Sequence, residues 1–267
     1  MMRRLIPILL TVMLSAPAVA AGHRTVAAVD VEKTAFVVTL MDGSVLKGQQ
    51  LTGAVIAVAL PGGGRTEIRI DSVETDPADP EITLYEMSSR DQKTGNWVNL
   101  CEPNPQGIRK GFPMRGALDS HSEYHAEAPG FSLACVAGVQ AKCVRWGYKP
   151  WIKTANGLPM LDLYRTCMRM ARADYCGDGI GGTRNGTKID LYDVAGINKP
   201  ETEKVMPFEA AWGPQGAICV RHTRLPDVVD LETLVSRCPR LAGKVGPDCS
   251  ENAPGALFFN RSAGVSP

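Results

Sequence analysis

Eight cysteines constrain what this chain can fold into more than any other feature: Cys101, Cys135, Cys143, Cys167, Cys176, Cys219, Cys238 and Cys249. Their meaning depends on the compartment, and the N-terminal segment indicates which one. Arg3 and Arg4 precede an apolar run from Leu5 to Leu14, and Ala18-Val19-Ala20 offers the small residues that a signal peptidase requires. That run is too short to span a bilayer, which takes about 20 residues. Residues 1–20 are therefore expected to be a signal peptide, cleaved after Ala20 or one residue later. The mature chain is expected to be exported, periplasmic or extracellular, and not inserted in a membrane. In an oxidising compartment an even cysteine count predicts disulfides, here up to four. Zinc sites and C-x-x-C redox motifs need closer pairs than these, whose tightest spacing is eight residues. Roughly a hundred pairings stay open.

The rest of the chain reads as short strands with few helices. Residues 21–45 carry no strong pattern and read as a loose N-terminal arm, with one strand from Phe36 to Leu40 before the turn Met41-Asp42-Gly43. A β-hairpin region follows over 46–100. Ala54 to Leu60 and Arg65 to Val73 form one hairpin, the second strand placing Ile68 and Ile70 on one face and Glu67, Arg69 and Asp71 on the other. Ile82 to Met87 and Asn96 to Cys101 form another, with Trp97 as its expected core anchor. Residues 101–267 form a cysteine-rich core, read as one domain with 46–100. It holds strands at 131–135, 188–192 and in a hairpin over 208–221, a helical turn at 139–146, and a helix from Leu231 capped by Asp230. The expected fold class is α+β: a β-rich single domain of hairpins with two helices, disulfide-stapled.

The first of those helices is read over 160–176. At 100° per residue, Met160, Leu161, Tyr164, Cys167, Met168, Ala171 and Tyr175 gather on one side, Arg165, Arg169 and Arg172 line the other, and Gly177 offers a stop. On a continuous helix Cys167 and Cys176 are nine residues apart on opposite faces, roughly 13.5 Å along the axis, which disfavours their pairing. The string ARADYCGDG (171–179) is similar to the signature of the ADYC-domain proteins, a bacterial family. AKCVRWGYKPW (141–151), TRNGTKIDLYD (183–193), FEAAWGPQGAICV (208–220) and NWVNLC (96–101) resemble the same family in the same order. The resemblance implies an exported, cysteine-rich protein. It implies no catalytic residue.

Three constellations are candidates for chemistry. Asp178, Asp190 and Asp193 surround a glycine-rich turn, and carboxylates so placed can serve as an acid–base pair on a glycan. Asp178, Asn185 and Asp190 are the weaker candidates for a calcium cage, which wants six to eight oxygens. Against both stands a structural reading in which these acids pair with arginines, making Arg172, Asp174, Tyr175 and Cys176 a hub. On the wheel Asp174 falls at the apolar edge, where an unpaired carboxylate is costly, so a partner is expected. His121 and His125 lack the H-E-x-x-H pattern and read as part of a solvated loop. Gly130-Phe131-Ser132-Leu133-Ala134 lacks the last glycine of a nucleophile elbow. A formal net charge of +1, lowered by two when Arg3 and Arg4 are removed, argues against nonspecific nucleic-acid binding. No cofactor is expected. The favoured reading is a non-enzymatic binding module or envelope accessory factor acting on an envelope or extracellular ligand. The alternative is a secreted hydrolase using Asp178 with Asp190 or Asp193.

Overall fold

Alternating apolar residues organise four antiparallel sheets in the computed structural model, which describes residues 25–59, 63–155, 157–203 and 205–264. The expected signal peptide lies outside the described residues. Among those described, no helix is long and apolar enough to cross a membrane. The first sheet is built from β1 (Val26–Glu32), β2 (Ala35–Leu40) and β3 (Val45–Lys47). From Val26 onward this corrects the loose arm: Val31, Phe36, Val38 and Leu40 are buried, so the two longer strands share an inner face. The turn between them passes through Lys33 at φ 57°, without the glycine or asparagine that signals such a turn locally.

The largest sheet takes β4 (Val55–Ala59), β5 (Arg65–Asp76), β6 (Asp79–Arg90), β7 (Trp97–Asn99), β8 (Gly111–Arg115) and, after two short strands, β11. The short pair is β9 (Ala117–Leu118) with β10 (Tyr124–His125), and β11 is Phe131–Cys135. β8 and β11 close the same sheet that holds β4 to β7, so no boundary falls at Cys101. Trp97 departs from its expected role as core anchor. It is half-buried between the guanidinium groups of Arg69 and Arg90, whose carbons lie 4.7 and 4.5 Å from its ring centre.

Three α-helices follow among the described residues: α1 (Val139–Arg145), the segment read as a helical turn, α2 (Met160–Arg172) and α3 (Leu231–Arg237). The last sheet runs β12 (Ile189–Asp193), β15 (Phe258–Ser262), β13 (Phe208–Gly213), β14 (Gly216–Val220). α2 packs against β13, β14 and β15 on one side and against α1 on the other. Its Tyr164 reaches Tyr124 of β10 edge-on, with ring centres 5.1 Å apart. One continuous core runs from Val31 of the first sheet to Phe258 of the last.

Three disulfides staple this arrangement. Cys101–Cys135 ties the exit of β7 to β11, Cys143–Cys167 ties α1 to α2, and Cys219–Cys249 ties β14 to the C-terminal tail. They span 34, 24 and 30 residues. Closing loops of this length stabilises a fold by about 3–4 kcal/mol each. Removing the Cys143–Cys167 bridge by paired substitution to alanine is expected to cost about 2–4 kcal/mol, read as the shift in a urea denaturation curve.

Candidate functional site: a cationic groove above a buried polar hub

α2 ends earlier than its sequence suggests. Ala173 adopts a left-handed conformation at φ 51°, so the helix closes at Arg172 rather than running to Cys176, and Gly177 is not its stop. The freed carbonyls at this end find donors elsewhere in the chain. Arg224 donates from Nη2 to Met170 O at 2.8 Å and from Nη1 to Ala171 O at 3.0 Å. Gly182 N–H donates to Arg172 O at 3.0 Å and Ala173 O at 3.1 Å. These bonds offset the cost of a left-handed alanine, roughly 1–2 kcal/mol.

The signature Ala173-Asp174-Tyr175-Cys176 then turns inward. Asp174 is fully buried and accepts from Gly177 N–H at 2.9 Å, Asp178 N–H at 3.2 Å, Gly179 N–H at 3.0 Å and Arg169 Nη1 at 2.7 Å. Arg169 supplies the partner expected for Asp174. It is 3% exposed, drawn in by Asp174, and also donates to His121 O at 2.6 Å. Tyr175 stacks on Trp212 with ring centres 5.1 Å apart. Its hydroxyl donates to Glu209 Oε1 at 2.9 Å and accepts from Arg224 N–H at 2.7 Å. Burial, reinforced by Glu209, holds that phenol far above its ordinary pKa, so it stays protonated as a donor.

Glu209 and Arg224 complete the hub, and the sequence reading missed both. Glu209 is fully buried in β13, paired with Arg224 Nε at 3.0 Å and Nη2 at 3.1 Å. Asn260 of β15 donates to Glu209 Oε2 at 2.7 Å and accepts from Trp212 Nε1 at 2.7 Å. A lone glutamate inside the apolar run Phe208 to Trp212 was the available signal. Tight approach of chains completes the cradle. A Cβ on Gly177, at φ +75°, would run into the carbonyl oxygen of Gln215. Gly177→Ala is therefore expected to lose about 1–3 kcal/mol by thermal or chemical denaturation, although Gly177 contributes no side chain.

The aspartates proposed for catalysis sit apart in bonding role. Asp190 is buried beside Arg261, whose Nη1 is 3.5 Å away, and both its oxygens accept from Glu201 N–H at 3.2 Å. Asp193 accepts from Tyr148 Oη at 2.8 Å and from the backbone N–H groups of Ala195, Ile197 and Asn198, holding the turn after β12. Asp178 accepts from Ile180 N–H at 2.9 Å and lies 3.7 Å from Arg237 Nε. Among the described residues no three His, Cys, Asp or Glu side chains gather as a metal-binding group. His121 and His125 are both exposed, in a loop broken by the two-residue strand β10. Tyr124 is buried, and His125 Nε2 contacts Asp119 Oδ2 at 3.0 Å, an interaction that helps lower the Asp119 carboxyl to about 2. Ser132 lies within strand β11, not at a turn, and its hydroxyl accepts from Gln140 Nε2 at 3.3 Å.

What the hub supports at the surface is a groove of about 650 Å³. Its walls are α1, the end of α2 and residues 183–189, with residues 104–106 at the rim. Among the described residues six cationic side chains line it, Lys142, Arg145, Arg172, Arg184, Lys188 and, from below, Arg224, and no carboxylate does. Three of the six are held by acids set back from the wall: Arg145 by Asp76 at 2.6 Å, Arg184 by Asp227 at 2.7 Å, Arg224 by Glu209. Arg172 donates to Gly179 O. Among the described residues Lys142 and Lys188 make no ion pair. Half-buried Trp146 adds an aromatic wall, and Asn185, the weak metal candidate, lines the groove, as Asp178 and Asp190 do not.

The three stretches that build this groove are those in which the sequence carries the motifs AKCVRWGYKPW, ARADYCGDG and TRNGTKIDLYD. The sequence model of the ADYC domain matches residues 48–226, more than half of the chain. The chain belongs to the ADYC-domain family. No significant match was found among curated proteins or among solved structures.

Proposed function

We propose that this is an exported, disulfide-braced binding module of the cell envelope or its surroundings, whose groove takes up an oxyanion-bearing ligand and performs no chemistry on it. The observation that carries the reading is the groove itself: six cations, amide side chains from Asn104, Gln106 and Asn185, and no carboxylate on the wall. Such a surface recognises phosphate, sulfate or carboxylate groups through charge-assisted hydrogen bonds. The chain as a whole is near-neutral, so a wall with cations and, among the described residues, no carboxylate is a local excess of positive charge. Export rests on the N-terminal pattern of Arg3, Arg4 and the Ala18-Val19-Ala20 site, and is in keeping with the disulfides.

The test is calorimetric titration with sodium polyphosphate and with a polyuronate, which separate phosphate from carboxylate recognition. Binding to at least one is expected, weakening steeply as salt is raised from 50 to about 200 mM. The double substitution Lys142→Glu/Lys188→Glu is expected to lower affinity tenfold or more while leaving the melting midpoint within about 2 °C. Binding that charge reversal leaves unchanged, or no binding to either polymer, would contradict the proposal. Mass spectrometry of the exported protein checks the leader: an N-terminus at Ala21 or Gly22 is expected.

A further inference from the structure

Two cysteines stand outside the three bridges, Cys176 half-buried and Cys238 buried. Cys176 ends the ADYC signature, and Cys238 follows α3. The two segments are fastened together on both sides of these residues. Arg240 Nη2 donates to Tyr175 O at 2.6 Å and to Gln215 O at 2.9 Å, while Arg237 Nε donates to Cys176 Sγ at 3.5 Å. Cys238 lies between those arginines in sequence, its own N–H bonded to Leu234 O at 2.8 Å, and its sulfur neighbours that of Cys176. Asp178 faces the same cluster through Arg237.

We propose that Cys176 and Cys238 form a thiol–disulfide exchange site, a fourth bridge that is made and broken in the folded protein by an external disulfide or dithiol. The pair is asymmetric in the way exchange requires. Cys176 is the more accessible, and the Arg237 guanidinium stands against its sulfur at 3.5 Å. Cys238 is screened from solvent, and burial with its neighbour pushes its thiol up to about 12, which suits a resolving group rather than the first attacker. By contrast, Cys143 and Cys167 are both fully buried in their bridge.

The chemistry balances without any group beyond the external partner. The Cys176 thiolate attacks one sulfur of the incoming disulfide, forming a mixed disulfide and releasing the other sulfur as a thiolate that takes up a proton. Cys238 then loses its proton and its sulfur attacks Cys176 Sγ, releasing the second external thiol. Two protein thiols are oxidised, and one external disulfide is reduced to two thiols. An external dithiol runs the sequence backwards. When closed, the bridge fixes the turn after the signature to the end of α3.

The test uses the full mature protein, blocked with N-ethylmaleimide and mapped by mass spectrometry after native titration with dithiothreitol and then with oxidised glutathione. The Cys176–Cys238 bridge is expected to open at a dithiothreitol concentration at least tenfold below that needed by the other three, and to reclose with glutathione disulfide. In Cys238→Ser, glutathione should become trapped on Cys176; in Cys176→Ser, native Cys238 should stay unmodified. The proposal is overturned if the two cysteines never join, if they open only together with the other bridges, or if the mixed disulfide forms on Cys238. Circular dichroism reports whether each variant folds, and the wild-type titration decides the matter if one does not.

Discussion

Replacing Asp174 with alanine is expected to remove about 3–5 kcal/mol of stability, measured by urea denaturation. The substitution leaves Arg169 buried without its closest carboxylate and strips three backbone N–H groups, those of Gly177, Asp178 and Gly179, of their side-chain acceptor. Each unsatisfied buried donor costs about 1–3 kcal/mol, though the site will relax and recover part of that sum. Asp174→Asn keeps an acceptor oxygen and the shape, so a smaller loss of about 1–3 kcal/mol is expected. A loss below about 1 kcal/mol for Asp174→Ala would show that the hub is not where this fold is held.

Breaking the second buried pair should cost as much. Arg224→Met removes the cation facing Glu209 and the two donors that close the end of α2, and about 3–5 kcal/mol is expected to be lost. Glu209→Gln keeps hydrogen-bonding capacity toward Tyr175 and Asn260 but surrenders the charge. The pair makes direct contact, so the two substitutions together should destabilise less than the sum of the singles, with a coupling of about 1–3 kcal/mol. Additive losses would mean that Arg224 acts only through the helix carbonyls.

These two pairs account for the family signature in physical terms. Ala173 closes the helix, Asp174 gathers three N–H groups and an arginine, Tyr175 links stacking on Trp212 to the Glu209–Arg224 pair, and Cys176 emerges beside Arg237. None of the four signature residues 173–176 lines the groove, although Arg224 reaches it from below. Arg172, one residue before them, does.

Local signals in the sequence were enough for some elements. The β4–β5 hairpin follows from alternation, with Ile56 opposite Ile68, and α3 follows from its cap, where Thr233 N–H donates to Asp230 Oδ1 at 2.7 Å. The β13–β14 hairpin follows from its Gly-Pro-Gln-Gly turn. Elsewhere the decisive partner lies far along the chain. The apolar run Ala256 to Phe259 reads in sequence as part of a closing tail, yet β15 is the strand between β12 and β13, a placement that depends on pairing Leu191 with Asn260 and Ala211 with Phe259. A partner for Asp174 was expected, but nothing within α2 shows that Asp174 folds back over Arg169 in particular. The groove was invisible for the same reason: its cations are scattered over residues 142–224, and only the packing of α1 against α2 brings them together.

In the proposed function the signature holds the fold while the groove above it binds the ligand. One measurement separates the two roles most directly: polyphosphate affinity per folded molecule, determined well below each variant's melting midpoint, for Asp174→Asn and for Lys142→Glu/Lys188→Glu. Asp174→Asn is expected to melt lower and bind within about threefold of the parent, whereas the lysine pair should melt as the parent does and bind at least tenfold more weakly. Loss of binding in fully folded Asp174→Asn, with binding intact in the lysine variant, would contradict the account.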